Sequence, residues 1–348
     1  MNQTMVKWAI LAGAATAAVS AQAAGLSVRL EVASPVVKGD VDVHVTLTLT
    51  NTSRTPLFLP KTQLPGEVHE SALFRITRDG EPVAYTGRLV KRSAAAEREV
   101  VRLAPGASMS FQVELTGAYD LSQNGRYAIE YVGLAKQQSG QTALLAPDAG
   151  SAPVYLWLEG RTQQPEAQVA LAPSLAASIS YTGNCTSTQK STLASAVNAA
   201  TNYSQSAYTY LSATPSATTR YKTWFGAFST TGWNTAKSHY AKTLDAFKTK
   251  ALVLDCSCKD SGTYAYVYPN QPYKIYVCGA FWSAPMTGTD SKGGTLVHEM
   301  THFTVVAGTD DWAYGQSAAK SLALSNPTKA LDNADSHEYF AENTPSLP

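Results

Sequence analysis

The chain is poor in charged residues. Only 15% of its 348 residues are Asp, Glu, Lys or Arg, against roughly 25% in typical soluble proteins, and the formal net charge is +1. A composition this close to neutral argues against a nucleic-acid-binding protein and against one that adheres to charged membrane surfaces. Neither kind of partner is therefore expected.

Long apolar runs are absent too. The best candidate, Trp8 to Ala15, is too short to cross a bilayer and follows Lys7. It leads to Ala21-Gln22-Ala23, which matches the cleavage site of a secretory signal peptide. We therefore expect residues 1–23 to be a signal peptide and the product to be soluble and secreted, with no membrane span.

Cysteine is scarce and confined to the second half of the chain. An even number of cysteines in an exported protein is typical of disulfides, so two bonds are expected. The two cysteines of the Cys-x-Cys are not expected to pair with each other. A structural zinc site is the rival interpretation, but the wide outer spacing fits it poorly. The four residues are Cys185, Cys256, Cys258 and Cys278.

One short stretch carries the chemistry. His298-Glu299-Met300-Thr301-His302 has the pattern H-E-x-x-H. On a helix, His298 and His302 leave the same face four residues apart and can bind one zinc ion. Glu299 would lie beside a water on that ion, where a general base is needed. The stretch predicts a zinc hydrolase, and the third protein ligand remains to be found.

The third ligand distinguishes classes of zinc peptidase. The pattern H-E-x-x-H-x-x-G-x-x-H fails here, because Val305 and Gly308 stand where its Gly and last His would be. A thermolysin-like site would take a later Glu, and Glu338 or Glu342 could serve. Asp311 is the other candidate, because Gly308 lets the chain turn back sharply after the helix.

Asp311 lies in a second motif, Gly308-Thr-x-Asp311-x-x-Tyr314-Gly315. Together with H-E-x-x-H, this run resembles the aspzincins, the family of deuterolysin and the peptidyl-Lys metalloendopeptidases. The resemblance covers about residues 180–348 and extends to secreted bacterial toxic endopeptidases of the family with a similarly long precursor.

The resemblance implies the roles of individual residues. His298, His302 and Asp311 would bind one zinc ion per chain, Glu299 would be the base, and Tyr314 would hold the oxyanion. Alternatively, Tyr314 is an aromatic side chain packed under the loop. The family's disulfide pattern implies the pairs Cys185–Cys256 and Cys258–Cys278.

Several family members cut before Lys, with acidic residues in the pocket that receives the Lys side chain. Asp335 and Glu338 lie at the matching distance beyond Asp311. A buried ammonium needs carboxylate partners, so these two residues are candidates for substrate binding. The alternative is that Asp335 caps the last helix and Glu338 is solvated.

The first half of the chain has the pattern of strands. Residues 41–50 alternate apolar and polar side chains, and residues 111–115, 127–132 and 154–158 look similar. Short strands between turn signals predict an all-β, immunoglobulin-like sandwich. We interpret residues 24–160 as a propeptide that inhibits the enzyme intramolecularly; a permanent substrate-binding domain is the alternative.

Polar residues 161–175 lack a clear period and are predicted to be a linker that contains the processing site. No Lys occurs between Lys136 and Lys190, and a cut before Lys190 would remove Cys185. An activating cut in the linker is therefore not before a Lys.

Residues 176–348 are predicted to form an α+β metallopeptidase domain, mostly helical with a small sheet. Helical spacing begins at Ser187 and recurs at 234–250, about 292–306 and 336–342. Residues 263–268 and 274–278 look like a hairpin, whose edge could bind an extended peptide.

The sequence thus predicts a secreted, monomeric zinc endopeptidase made as an inactive precursor, with a preference for Lys after the scissile bond. Its partners would be protein or peptide substrates and its own propeptide. The alternatives are a thermolysin-like peptidase with a downstream Glu ligand and a zinc-binding toxin or adhesin without activity. Glu299 argues against the last, because binding alone needs no base.

Overall fold

The protein contains mixed sheets and helices. The computed structural model describes residues 20–23, 25–66, 68–93, 96–133, 150–162 and 178–348. The predicted signal peptide, apart from residues 20–23, and nearly all of the predicted linker lie outside the described residues.

Up to residue 162 the structure has two 3-10 turns, Lys61–Gln63 and Ala96–Arg98, and the strands β1 (Ser20–Ala23), β2 (Leu26–Val32), β3 (Val36–Lys38), β4 (His44–Asn51), β5 (Leu57–Pro60), β6 (Phe74–Arg78), β7 (Glu81–Pro82), β8 (Leu89–Arg92), β9 (Val100–Leu103), β10 (Ser108–Glu114), β11 (Gly125–Tyr131) and β12 (Val154–Glu159).

Two sheets of these strands share one apolar core. One sheet has the order β1-β2-β4-β10 and the other β3-β12-β11-β6-β7, while β5 and β9 form a separate pair. Every second residue of β4 is buried, which is why its alternating pattern could be recognised. The strands predicted from four alternating stretches are confirmed in β4, β10, β11 and β12.

The rest of the chain is mainly helical. Helices predicted from Ser187, around 234–250 and around 336–342 are confirmed, as are the two strands of the predicted hairpin. The elements are β13 (Ile179–Thr182), α1 (Ser187–Leu211), α2 (Thr219–Phe225), α3 (Thr230–Thr249), β14 (Leu252–Asp255), β15 (Thr263–Val267), β16 (Lys274–Val277), α4 (Gly279–Ser283), α5 (Lys292–His302), α6 (Gly315–Ser325), α7 (Pro327–Leu331) and α8 (Ala334–Glu342).

A strand from the first half completes the sheet of the second half. That sheet has the order β13-β14-β16-β15-β8, so β8 covers the edge that β15 would otherwise present. The two strands are antiparallel, with Val90 opposite Tyr266 and Lys91 opposite Ala265. The edge at which the sequence predicted an extended peptide therefore holds a segment of this same chain.

Two disulfides brace the sheet of the second half. Cys185, just before α1, is bonded to Cys256, just after β14. Cys258 is bonded to Cys278 at the end of β16. This is the pairing that the family resemblance implied.

Helix α5 is shorter than expected. The apolar pattern predicted a helix to about residue 306, but α5 ends at His302 and Phe303 leaves the helical conformation. Gly308 follows with a φ of 64°, a value that glycine adopts without strain. The apolar residues after His302 pack as turns, because the chain must reverse within a few residues.

Among the described residues, none of the helices combines the length and the apolar character that a membrane crossing requires.

Gly226 ends α2 with a φ of 83°, and a Cβ there would lie 2.0 Å from the carbonyl oxygen of Ala323. Gly288 has a φ of 109° with nothing within 4 Å of such an atom. We expect Gly226→Ala to lower the free energy of unfolding by about 1–3 kcal/mol more than Gly288→Ala, because only the first adds a clash with backbone. Urea unfolding of both variants measures the difference, and equal losses would show that backbone strain alone matters.

Candidate metal centre

Helix α5 presents both imidazoles of the H-E-x-x-H stretch to one point. His298 Nε2 and His302 Nε2 are 3.1 Å apart, and both side chains are fully buried. The helix begins cleanly because the Ser291 hydroxyl accepts a hydrogen bond from the Gly294 amide at 2.9 Å. The predicted spacing of the two histidines is therefore realised on a helix inside the core.

The turn after α5 brings Asp311 to the same point. The Thr309 amide donates to the Thr301 carbonyl at 3.1 Å and folds the chain back on the helix. Asp311 Oδ1 then lies 3.2 Å from His298 Nε2 and 3.5 Å from His302 Nε2. The structure thus brings together the three residues that the family resemblance implied as ligands.

The three donor atoms fit a zinc ion. Ligands about 2.0–2.1 Å from a tetrahedral metal lie roughly 3.3 Å from one another, close to the distances seen here. Within the part of the chain that the structure describes, neither carboxylate oxygen of Asp311 has a hydrogen-bond partner, although both are buried. His302 Nδ1 lies 2.7 Å from the Thr309 carbonyl, which can only accept, so its Nε2 is free to bind a metal.

Burial and neighbouring charges shift the pKa values at this point. Burial alone would raise the pKa of Asp311, but His302 and His298 lower it below its usual range. Burial raises the pKa of Glu299 to about 8, with His298 opposing. Among the residues that the structure describes, neither buried carboxylate oxygen of Glu299 has a hydrogen-bond partner, and Glu299 directly follows His298 on α5. The geometry thus leaves a carboxyl group available next to the candidate metal position.

Asp335 and Glu338 form a second acidic cluster behind His298. Asp335 Oδ1 is 2.7 Å from His298 Nδ1, and Glu338 Oε2 is 3.4 Å from the same nitrogen. Asp335 also accepts a hydrogen bond from the Gly315 amide at 2.6 Å. Both side chains are buried, so the alternative of a solvated Glu338 is wrong.

Lys91 of β8 fills this cluster. Its ammonium lies 2.6 Å from Glu338 Oε2, 3.2 Å from Asp335 Oδ1 and 3.7 Å from Asp290 Oδ1. Burial would lower the pKa of Lys91, but Asp335 and Glu338 raise it well above its usual value. A buried ammonium is therefore held by carboxylates next to the candidate metal position.

Tyr314 lies against the same segment of β8. Its hydroxyl donates a hydrogen bond to the carbonyl oxygen of Val90 at 3.2 Å and accepts one from Arg92 Nη1 at 3.4 Å. The side chain is half-buried and faces β8. The carbonyl that Tyr314 contacts belongs to the peptide bond just before Lys91.

Sequence reasoning missed two participants, Lys91 and Asp290. Lys91 lies roughly 200 positions or more from its partners, and only its place after the apolar pair Leu89-Val90 could have drawn notice. Asp290 adds a third carboxylate to the cluster. Glu342, considered as a ligand, accepts hydrogen bonds from the amide and hydroxyl of Ser291 and so supports the start of α5.

Comparison with known proteins identifies the family. The sequence model described as lysine-specific metallo-endopeptidase matches residues 210–342. An extracellular protease of Aeromonas hydrophila is 47% identical over 330 residues, which are 93% of this chain and 94% of that one. A peptidyl-Lys metalloendopeptidase of Armillaria mellea is 42% identical over 347 residues, covering 94% of each chain. A solved zinc peptidase from Grifola frondosa is 50% identical over 47% of this chain and all of its own, with a TM-score of 0.46. The chain belongs to the aspzincin family of zinc-dependent metalloendopeptidases.

Proposed function

We propose that this enzyme is a secreted endopeptidase that cuts on the amino side of Lys and is made as an inactive precursor. The observation that carries the proposal is the position of Lys91, whose ammonium fills an acidic cluster beside the candidate metal centre. A pocket that binds this Lys side chain can bind the Lys of a substrate in the same way.

His298, His302 and Asp311 would hold the zinc ion. Bound there, zinc would lower the pKa of a water molecule to about 7 and polarise the substrate carbonyl. Glu299, whose buried oxygens have no hydrogen-bond partner among the described residues, would take the proton of the attacking water and pass it to the leaving amine. Its position next to His298 on α5 supports this role.

Tyr314 would stabilise the oxyanion. Its hydroxyl already donates to a peptide carbonyl, that of Val90, in the segment that lies in the cleft. A donor aimed at a carbonyl oxygen can strengthen its hydrogen bond as negative charge develops there. This contact favours the functional role over simple packing under the loop.

Asp335 and Glu338 would confer the preference for Lys. Their carboxylates are buried, and a neutral substrate side chain in the pocket would leave these charges without an ammonium partner. The relative from Armillaria mellea is named a peptidyl-Lys metalloendopeptidase, which supports the same preference here.

Residues 24–160 would be a propeptide with an immunoglobulin-like sandwich, and residues 161–175 would contain the processing site. Strand β8 supports inhibition, because it occupies the sheet edge and the acidic pocket that a substrate would need. Residues 1–23 would direct export, in keeping with an extracellular protease among the relatives. The processed enzyme is expected to be a monomer.

The geometry favours Asp311 over a later Glu as third ligand. Glu338 lies next to His298 Nδ1. His302 Nε2 lies next to the other ring nitrogen of His298, Nε2. Glu342 is engaged with Ser291. A thermolysin-like ligand set would therefore need both side chains to leave their present partners.

Replacing Asp311 by Ala should weaken zinc binding by more than the roughly 10- to 100-fold typical of losing an outer partner of a ligand. Glu342→Gln should keep the affinity within a few-fold, because the amide can still accept from Ser291. Competition with a chromophoric chelator measures both, with circular dichroism as the check on folding. Retention of zinc by the Asp311 variant would rule out Asp311 as a ligand.

The processed enzyme should cleave a peptide with Lys after the bond at least about 100-fold more efficiently than the same peptide with Met there, since Met leaves the acidic pair unpaired. Glu338→Gln should reduce this ratio of kcat/KM values. Asp245→Asn, on the exposed side of α3, is the matched control and should leave it unchanged. Equal cleavage of both peptides by the unaltered enzyme would refute the preference.

Glu299→Gln should lower kcat by about 10²- to 10⁴-fold, the usual contribution of a general base, while zinc content stays at one ion per chain. Metal analysis of the same preparation is the control. A variant that retains zinc and keeps its rate within tenfold would show that another group accepts the proton.

A further inference from the structure

We propose that the peptide bond between Val90 and Lys91 is the first bond that this enzyme hydrolyses, so that the precursor cuts its own inhibitory strand. The inference rests on the proposed function, since it needs a peptidase that cuts before Lys. It adds a cleavage site inside the propeptide, far from the predicted linker.

Two separate contacts select this one bond. On its carboxyl side, the Lys91 ammonium lies in the pocket formed by Asp335 and Glu338. On its amino side, the Val90 carbonyl oxygen accepts the hydrogen bond of Tyr314. An enzyme that cuts before Lys would attack the carbonyl that precedes the bound Lys. Both contacts therefore place the Val90–Lys91 bond where the scissile bond of a substrate would lie.

The strand is paired with β15 on both sides of this bond, and a β-bulge lies between Thr263 and Ala265, opposite Arg92 and Lys91. Leu89 lies opposite Val267, Val90 opposite Tyr266 and Lys91 opposite Ala265 on β15. These three residues of β8 are at most 4% exposed, so an external protease cannot reach the bond. The bond lies instead next to the candidate metal centre, because Lys91 contacts Asp335 and Glu338, whose carboxylates lie against His298.

The reaction is a hydrolysis that consumes one water molecule. The water oxygen forms a bond to the Val90 carbonyl carbon, and the carbon–nitrogen bond to Lys91 breaks. Both protons of the water end on the leaving nitrogen: Glu299 would pass on the first, and the second comes from the new carboxylic acid. The products are a Val90 carboxylate and a Lys91 ammonium, and no other reactant is required.

The cut pieces should stay together. Arg92, which follows the bond, forms an ion pair with Glu70, which precedes it, at 3.0 Å. Strands from both pieces alternate in the sheets, since β4 pairs with β10, β6 with β11 and β5 with β9. The cut would therefore leave a nicked propeptide in place, and release would need a later step.

The chain offers a matched control bond. Val37–Lys38 has the same two residues in the same half of the protein. It lies in β3, at the edge of the sheet β3-β12-β11-β6-β7, and not in the sheet that contains β8. The Lys38 side chain is 78% exposed and forms a surface ion pair with Glu159, at 2.7 Å. Lysine preference alone would favour this accessible bond, whereas position in the cleft favours Val90–Lys91.

The test is to incubate purified full-length precursor with zinc and identify new amino termini by mass spectrometry. We expect a terminus at Lys91 to form at a rate independent of precursor concentration, and before any terminus at Lys38. Glu299→Gln and Lys91→Ala should abolish it, while Lys38→Ala should not. The two fragments should co-elute in gel filtration and separate only in denaturing gels.

Parallel incubations separate the possible failures. The processed enzyme is given a synthetic peptide Arg-Leu-Val-Lys-Arg-Ser. If it cuts this peptide before Lys while the precursor stays intact at Val90–Lys91, the self-cleavage is refuted and the proposed function stands. If it does not cut the peptide, both are refuted. Equal rates at Lys38 and Lys91 would also refute cleavage within the cleft.

A third arm needs no active enzyme. Glu299→Gln precursor, kept in chelator, is treated briefly with trypsin, which cuts after Lys. The exposed Lys38 should be cut well before Lys91, because Lys91 is only 2% exposed. Earlier cutting at Lys91 would show that β8 is not held in the cleft and would overturn the inference.

Discussion

The arrangement of the site depends on one buried carboxylate, that of Asp335. It lies 2.7 Å from His298 Nδ1 and 3.2 Å from the Lys91 ammonium, and it accepts a hydrogen bond from the Gly315 amide. One side chain thus contacts His298, which would bind the metal, would form part of the proposed specificity pocket, and is hydrogen-bonded to the loop that carries Tyr314. Charges interact strongly away from water. The charge of the Lys side chain in the pocket would therefore affect His298 and the metal that it would bind, through Asp335.

This carboxylate can be buried because two helices pack very closely. Asp335, Glu338 and Glu342 are spaced three and four residues apart, so all three leave the same face of α8 towards α5. A Cβ on Gly294 would lie 2.0 Å from Glu342 Oε1, and one on Gly293 would lie 2.8 Å from the Ala199 Cβ. The two glycines are therefore required by close approach on both sides of α5, while Ser291 provides the cap.

Local patterns in the sequence account for the parts of the site that are close along the chain. The spacing of His298 and His302 requires only a helix, and Gly308 is enough to anticipate the reversal towards Asp311. Strands such as β4 could be recognised because one face is buried. The end of α5 at His302 could not be predicted from the sequence, since the apolar residues beyond it suit a turn packed in the core as well as a helix. Lys91 could not be placed either, because no local pattern records a contact across more than 200 residues.

The same contacts that would select a substrate also explain why the intact chain would be inactive. Lys91 is joined to the enzyme by the chain itself, so it enters the pocket without the loss of translational freedom that a free peptide suffers. Hydrolysis of the bond before it would not remove this advantage while paired strands still hold both ends. Inhibition would then end only when the sandwich itself is removed. A change that weakens the pocket should accordingly reduce both the preference for Lys and the hold on the propeptide, so neither property can be altered alone through Asp335 or Glu338.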